Sequence, residues 1–209
     1  MKCVICEVRT PRRFCPGVQG EVCTLCCGME RENTVACPLD CVYLREARTR
    51  EKPLELDPAA IPFSDIRVPA QLLEERPEIG MMAMASLAEA VASTGGAIDY
   101  DVREALDALI RTSKTLQSGL VYNTRPANPV AAAIYERLQE RIEEGRKEIA
   151  ARTGTSVRDA DILGMLVVLH RLEYRYNNGR KRGRAYIDYL MQRFPNRAEA
   201  NPAASPLIV

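Results

Sequence analysis

The sequence has one histidine, His170, and no cysteine after Cys41. It also lacks the serine-hydrolase G-x-S-x-G, the metalloprotease H-E-x-x-H, a P-loop and a dinucleotide-binding glycine pattern. No familiar catalytic motif therefore indicates an enzyme, although an enzyme with an unrecognised site in the helical part of the chain remains an alternative. His170 follows an apolar run, which is typical of a hydrogen-bonded histidine in or beside a core.

Long hydrophobic runs and net charge are also scarce. The longest nearly unbroken apolar stretch covers residues 162–169, far short of the ~20 residues that span a bilayer. No apolar segment typical of a secretory signal follows Met1 and Lys2. The formal net charge of +1 does not point to one class of partner. These absences predict a soluble, cytoplasmic protein with no membrane partner.

All eight cysteines lie within the first 41 of 209 residues. In a reducing compartment, clustered cysteines are more often metal ligands than disulfide partners. Two pairs have the C-x2-C spacing that reaches two corners of a tetrahedron at once, and eight thiols make two complete sets of four. We predict a first cysteine set of Cys3, Cys6, Cys23 and Cys26, and a second cysteine set of Cys15, Cys27, Cys37 and Cys41.

The division between the two sets depends on the neighbours Cys26 and Cys27. Consecutive side chains point to opposite faces of an extended chain, so adjacent cysteines serve two ions more easily than one. Asp40 is predicted to cap a helix whose first turn contains Cys41, where the helix dipole favours a thiolate. The sequence thus predicts two Zn²⁺ ions in closed, structural sites.

Interleaved ligand pairs with a ligand at a helix N-terminus resemble the treble-clef finger and the cross-brace of RING and FYVE modules. The resemblance covers roughly residues 1–50 and implies a double-zinc architecture. An iron–sulfur cluster is the alternative cofactor, because sets of four cysteines also hold clusters. The spacing disfavours cysteines that act only as small hydrophobes, the compartment disfavours disulfides, and the lack of a βαβ pattern disfavours a redox pair.

The rest of the chain predicts a mainly α protein: an N-terminal Cys-rich zinc-finger module followed by an α-helical bundle of about five helices. The predicted division is a cysteine module at 1–52, a proline-bearing linker at 53–69, a helical domain at 70–196 and a loose tail at 197–209. Helices are predicted, from their apolar stripes and caps, at 70–94 with a break near Pro77, 102–118, 129–154, 157–177 and 184–194.

Basic residues between 171 and 184 form the candidate nucleic-acid surface, because guanidinium groups bind phosphates and nearby tyrosines can stack on bases. The candidates are Arg171, Arg175, Arg180, Lys181, Arg182 and Arg184. Arginine outnumbers lysine 24 to 5 throughout, so a solvated face with its tyrosines packed into the bundle is the favoured interpretation.

Residues 148–166 resemble the helix-turn-helix of bacterial repressors. Asp159 and Asp161 would repel phosphate, however, and the apolar run after them belongs in a core. Two ordinary antiparallel helices joined at a glycine are therefore favoured. Met81, Met82 and Met84 are predicted to serve packing.

The leading functional hypothesis is a zinc-binding, non-enzymatic interaction or scaffold protein that binds a protein partner or self-associates. The alternative is a nucleic-acid-binding regulator that uses the basic residues of 171–184.

Overall fold

The computed structural model describes residues 1–52, 55, 57–117, 119 and 124–195. It confirms the predicted fold class, a mainly α-helical chain with a cysteine cluster at its N-terminal end. The predicted tail at 197–209 lies outside the described residues, as do positions 53, 54 and 56 of the predicted linker. None of the helices among the described residues is long and apolar enough to cross a membrane.

The cysteine module is built from short elements that cannot bury a large core of their own. Strands β1 (Arg13–Cys15) and β2 (Gly20–Val22) form an antiparallel hairpin in which Arg13 pairs with Val22. Helices α1 (Thr24–Met29) and α2 (Val42–Arg48) follow. The module's own buried cluster consists of Val22 and three cysteines. A segment with so little apolar burial needs another source of folding free energy.

The helical domain begins after a 3₁₀ turn at Pro58–Ala60. Its helices are α3 (Ala70–Glu75), α4 (Pro77–Ala92), α5 (Asp99–Gln117), α6 (Pro129–Thr153), α7 (Asp159–Tyr176) and α8 (Ala185–Arg193). The predicted break is at Pro77, which starts α4. Asn128 caps α6 by accepting a hydrogen bond from the Val130 amide, and Gly154 ends α6 with a φ of 69°.

Four helices enclose the core. Helices α4 and α5 each pack against both α6 and α7, so α6 and α7 lie at opposite corners of the bundle. Leu87, Leu106, Ile134 and Leu166 are among the side chains buried between them. Helices α6 and α7 are separate helices joined through Gly154, as predicted, and each packs mainly on α4 and α5 rather than on the other.

Two helices begin at other residues than predicted. Helix α5 starts at Asp99 rather than at 102, and the side chain of Asp101 accepts hydrogen bonds from the Ile98 amide and from Asn128. Helix α7 starts at Asp159 rather than at 157.

The predicted linker packs on α7 where it is described. Arg171 donates hydrogen bonds to the backbone carbonyls of Pro62, Phe63 and Ile66 at 2.9–3.2 Å. The Phe63 ring meets the His170 ring edge-on at 5.1 Å. His170 is buried as predicted, although its Nδ1 has no hydrogen-bond partner among the described residues, and burial lowers its pKa to about 4. These contacts give His170 and Arg171 structural roles.

A buried carboxylate, Glu32, joins the cysteine module to the bundle. It accepts hydrogen bonds from Arg48 Nη2 at 2.7 Å, Asn178 Nδ2 at 2.9 Å and the backbone amide of Arg184 at 2.9 Å. The Glu32 carbonyl also accepts from the amide of Arg182 at 2.7 Å. Glu32 is fully buried, so these partners replace the water that a carboxylate otherwise requires.

Two further contacts flank Glu32. Arg48 also pairs with Asp188 of α8 at 2.7 Å. Arg180 donates to the carbonyl of Arg31 at 2.6 Å. The module is therefore docked on the turn between α7 and α8 through charged and polar groups.

Asp99 ties the start of α5 to the start of α8. Its carboxylate accepts hydrogen bonds from the amides of Tyr186 and Ile187 at 3.1 and 3.0 Å. Burial raises the pKa of Asp99 from 3.8 to about 7, against the lowering effect of those amides, and the charges of Glu173 and Glu32 raise it further. In the folded protein Asp99 thus retains its proton at pH values at which the unfolded chain has lost it.

The raised pKa makes the stability of the protein depend on pH. We expect the free energy of unfolding to be greatest, as far as Asp99 contributes, below about pH 4 and to fall as the pH rises through about 7. Urea unfolding across this range measures the free energy of unfolding of the wild type and of Asp99→Asn. The wild type should lose stability relative to Asp99→Asn as the pH rises, because asparagine does not titrate. Asp40→Asn, at an exposed carboxyl of the module, is the control. Equal pH profiles for the wild type and Asp99→Asn would contradict the prediction.

Candidate metal centre

The first cysteine set converges in space. The sulfur atoms of Cys3, Cys6, Cys23 and Cys26 all lie within 4.8 Å of one another. Four sulfurs at ~2.3 Å from one tetrahedral ion are about 3.8 Å apart. The four cysteines are thus close enough to hold a metal ion.

Backbone hydrogen bonds place the two C-x2-C pairs. The amide of Glu7 donates to the carbonyl of Cys3 at 2.8 Å, which closes the first turn, and the amide of Val4 donates to Glu21 of β2 at 3.0 Å. Cys23 is the N-cap of α1, and its sulfur accepts a hydrogen bond from the amide of Cys26 at 3.4 Å. A turn held against the hairpin and the start of a helix therefore face each other.

The surroundings of the sulfurs favour the thiolate form of Cys6 and oppose the thiolate form of Cys26. The backbone N–H groups of Arg9 and Val8 lower the pKa of Cys6 to about 6. Burial, together with the neighbouring cysteines, raises the pKa of Cys26 to about 12. A divalent cation removes this conflict because a coordinated thiol is deprotonated.

Arg9 adds a compensating cation. Its guanidinium interacts with the sulfur of Cys23 and lies in the field of Cys6, which raises the pKa of Arg9. Four thiolates around one divalent ion carry a net charge of −2, so a nearby guanidinium stabilises the loaded site.

The second cysteine set lines a single small cavity but is less tightly gathered. Cys15 ends β1, Cys27 lies in α1, and Cys41 is the N-cap of α2. All three, with Cys37, line a cavity of ≈ 20 Å³, enough for about one water-sized sphere. Among the residues the structure describes, only the first set has three or more candidate ligand atoms that all lie within 4.8 Å of one another. Metal binding by the second set stays a prediction.

Two arginines contact the second set through Cys27. The sulfur of Cys27 receives Arg13 Nη1 at 3.6 Å and Arg31 Nη2 at 4.0 Å. Arg13 is itself held over the ring of Tyr43, 4.3 Å from its centroid. Burial raises the pKa of the Cys37 thiol, and the charges of Glu32, Cys15 and Cys41 raise it further. The two arginines would offset the negative charge that four thiolates add.

Cys26 and Cys27 do not lie in the extended chain on which their predicted division depends. Both residues lie in helix α1, not in an extended segment, because Cys23 caps a helical turn there. Successive side chains of an α-helix are turned by about 100°. Both cysteines line the small cavity, but the sulfur of Cys26 is gathered with the first set, whereas that of Cys27 lies outside this group and accepts from Arg13 and Arg31.

The start of α2 also differs from the prediction. Asp40 does not cap α2; Cys41 occupies the N-cap position, and it makes no side-chain capping bond. Its sulfur is thus left free of a local capping role.

The six basic candidates for nucleic-acid binding divide into two groups. Arg171 binds three backbone carbonyls, Arg180 binds the carbonyl of Arg31, and Arg184 is largely buried. Arg175, Lys181 and Arg182 are exposed. Arg171 and Arg180 thus serve contacts inside the chain, Arg184 is withdrawn from the surface by burial, and nucleic-acid binding stays a prediction for the others.

Sequence reasoning missed Arg9 and Glu32. Arg9 could have been found as a cation three residues after a C-x2-C pair. Glu32 carries no such signal, because its partner Asn178 is 146 residues away.

Comparison with family models, with characterised proteins and with solved structures finds no match for this chain.

Proposed function

We propose that the protein is a zinc-binding, non-enzymatic interaction or scaffold protein whose cysteine module is a metal-stabilised recognition surface. The observation that carries the proposal is the convergence of four cysteine sulfurs within 4.8 Å. Four protein ligands saturate a tetrahedral ion and leave no position for water or substrate, which is the mark of a structural site. The second cysteine set would hold a second ion in the same manner.

The spacing of the first set supports a single ion over an iron–sulfur cluster. Cysteines that bind a four-iron cluster ligate different iron atoms and must be spread around the cluster. The four sulfurs here are close to the separation of ligands on one ion. Zinc is the ion that all-cysteine sites of this kind hold most often as a folding element.

The surface of the module supports a role in binding. Large apolar side chains are unusually exposed on it, notably Val8 at 77%, Met29 at 61% and Phe14 at 57%. Val4, Leu25 and Val42 are also exposed. Of the three methionines predicted to serve packing in α4, Met82 and Met84 pack against the bundle core, and Met81 is exposed. Exposed apolar groups gathered on one small unit are typical of a protein contact surface.

A photo-crosslinking amino acid tests the surface directly. Placed at Val8 or Met29 in cells that express the protein, it is expected to give discrete adducts, either of two copies of this chain or of the chain with another protein. Lys147, exposed on α6, is the matched position outside the module. Adducts of equal yield and pattern from Lys147, or none from Val8 and Met29, would contradict binding through the module. Loss of the Val8 adducts after metal chelation would connect binding to the metal.

A further inference from the structure

A cavity lies between the cysteine module and the helical domain. Its volume is ≈ 530 Å³, within the ~300–1,000 Å³ typical of small-molecule sites. The module contributes one wall and the helical domain the other. The lining residues are Pro16, Gly17, Ala36, Cys37 and Pro38 from the module, and Gly96, Ile98, Arg182 and Arg184 from the helical domain.

The formal charges of the lining have one sign. Arg182 and Arg184 line the cavity, and no aspartate or glutamate does. Arg184 is largely buried, which lowers the pKa of its guanidinium, and its Nε is buried without a hydrogen-bond partner. The guanidinium of Arg184 is thus not saturated by protein acceptors, and an anion in the cavity can bind those of its N–H groups that line it.

The backbone that carries the two arginines is fixed in place. The amides of Arg182 and Arg184 donate to Glu32 at 2.7 and 2.9 Å, and the carbonyl between them, that of Gly183, accepts from the amide of Asp99 at 2.8 Å. The side chain of Arg182 is exposed at the cavity. Two cations on a backbone already held in position lose less entropy when a ligand binds.

We propose that this cavity binds a small molecule that carries an oxyanion group, either phosphate or carboxylate. Guanidinium groups match both groups by paired N–H donors, and two arginines neutralise a doubly charged anion. A cavity of this volume with its two cations in one place favours a small molecule over a nucleic-acid strand, which needs cations spaced along its backbone. This assignment gives Arg182 and Arg184 a role that does not depend on which metal the cysteines hold.

Calorimetric titration of the full chain as purified, at matched ionic strength, tests the assignment. Inorganic pyrophosphate is the phosphate probe and malonate the carboxylate probe. Saturable binding of either is expected, and the tighter probe identifies the chemical source of the oxyanion. Arg182→Gln should weaken that binding about tenfold or more, the usual effect of losing a charge-assisted hydrogen bond.

Two variants keep the test decisive. Arg175→Gln removes an exposed charge from the same segment but not from the cavity lining, and it should bind like the wild type. Arg184→Lys keeps the charge but loses the planar fork, and it should also weaken binding. Arg182→Gln leaves the backbone bond to Glu32 intact, so its fold can be verified by thermal unfolding. The absence of saturable binding to both probes, or equal losses in Arg175→Gln and Arg182→Gln, would overturn the proposal.

Discussion

Replacement of Cys26 by serine is expected to release about one metal ion per chain and to unfold the part of the cysteine module that the first set holds, while the helical bundle persists. Cys26 is buried at the centre of the first set, so its loss leaves three ligands around the ion. Binding of structural zinc contributes about 10–16 kcal/mol in small zinc modules, far more than the few apolar side chains buried here can supply. Hydrogen exchange read by mass spectrometry should therefore show loss of protection within residues 1–52 and retained protection in α4–α7.

Elemental analysis of the same samples completes this test. By ligand counting, the wild type is expected to contain about two zinc ions per chain, and Cys26→Ser about one. Cys27→Ser is the matched control one position away: it should lose the ion of the second set and keep that of the first. Iron with visible charge-transfer absorption, or a module whose protection is unchanged after chelation, would contradict a structural zinc site.

Removal of the Glu32 carboxylate is expected to destabilise the folded chain by about 3–5 kcal/mol. In Glu32→Ala, the buried Arg48 loses its bond at 2.7 Å, and the Asn178 amide and the Arg184 backbone N–H lose theirs at 2.9 Å. Arg48 keeps Asp188 as a partner but loses its second carboxylate. The loss is this costly because the Asn178 and Arg184 N–H donors are left unpaired out of water. Equilibrium urea unfolding measures the change in the free energy of unfolding.

A surface pair in the same module provides the control. Glu46 bonds to Arg50 at 3.1 Å, one helical turn away, with side chains 60% and 78% exposed. Because solvent screens such pairs, Glu46→Ala should cost only about 0–1 kcal/mol. Metal content should be measured for both variants, since Glu32 lies between Cys27 and Cys37. Similar losses in the two variants at full metal content would show that Glu32 does not connect the module to the bundle.

The features that were predictable from sequence depend on nearby residues. The start of α4 at Pro77, the capping of α6 by Asn128 with Pro129 in its first turn, and the end of α6 at Gly154 follow from backbone rules that operate within one turn. The C-x2-C pairs also encode their own geometry, which is why the sulfurs of the first set converge as ligand spacing indicates.

The features that sequence did not reveal depend on residues far apart in the chain. Arg171 binds carbonyls more than 100 residues before it, and Glu32 binds Asn178, which is 146 residues after it. A charge pattern alone indicates a solvated or nucleic-acid-binding face, because it cannot show which arginines bind distant groups of the same chain. The helical state of Cys26 and Cys27 was missed for another reason: the cap of α1 is a cysteine, which is not among the usual capping residues.

The distance along the chain between Glu32 and its partners has a consequence for synthesis on the ribosome. The eight cysteines and Arg48 are translated before the bundle, so the metal sites can load while the bundle is still being made. Asn178 follows Glu32 by 146 residues, a delay on the order of 10 s at ordinary elongation rates. Until then the nascent module carries a carboxylate with only Arg48 to pair with, and the turn between α7 and α8, which is translated later, completes its burial.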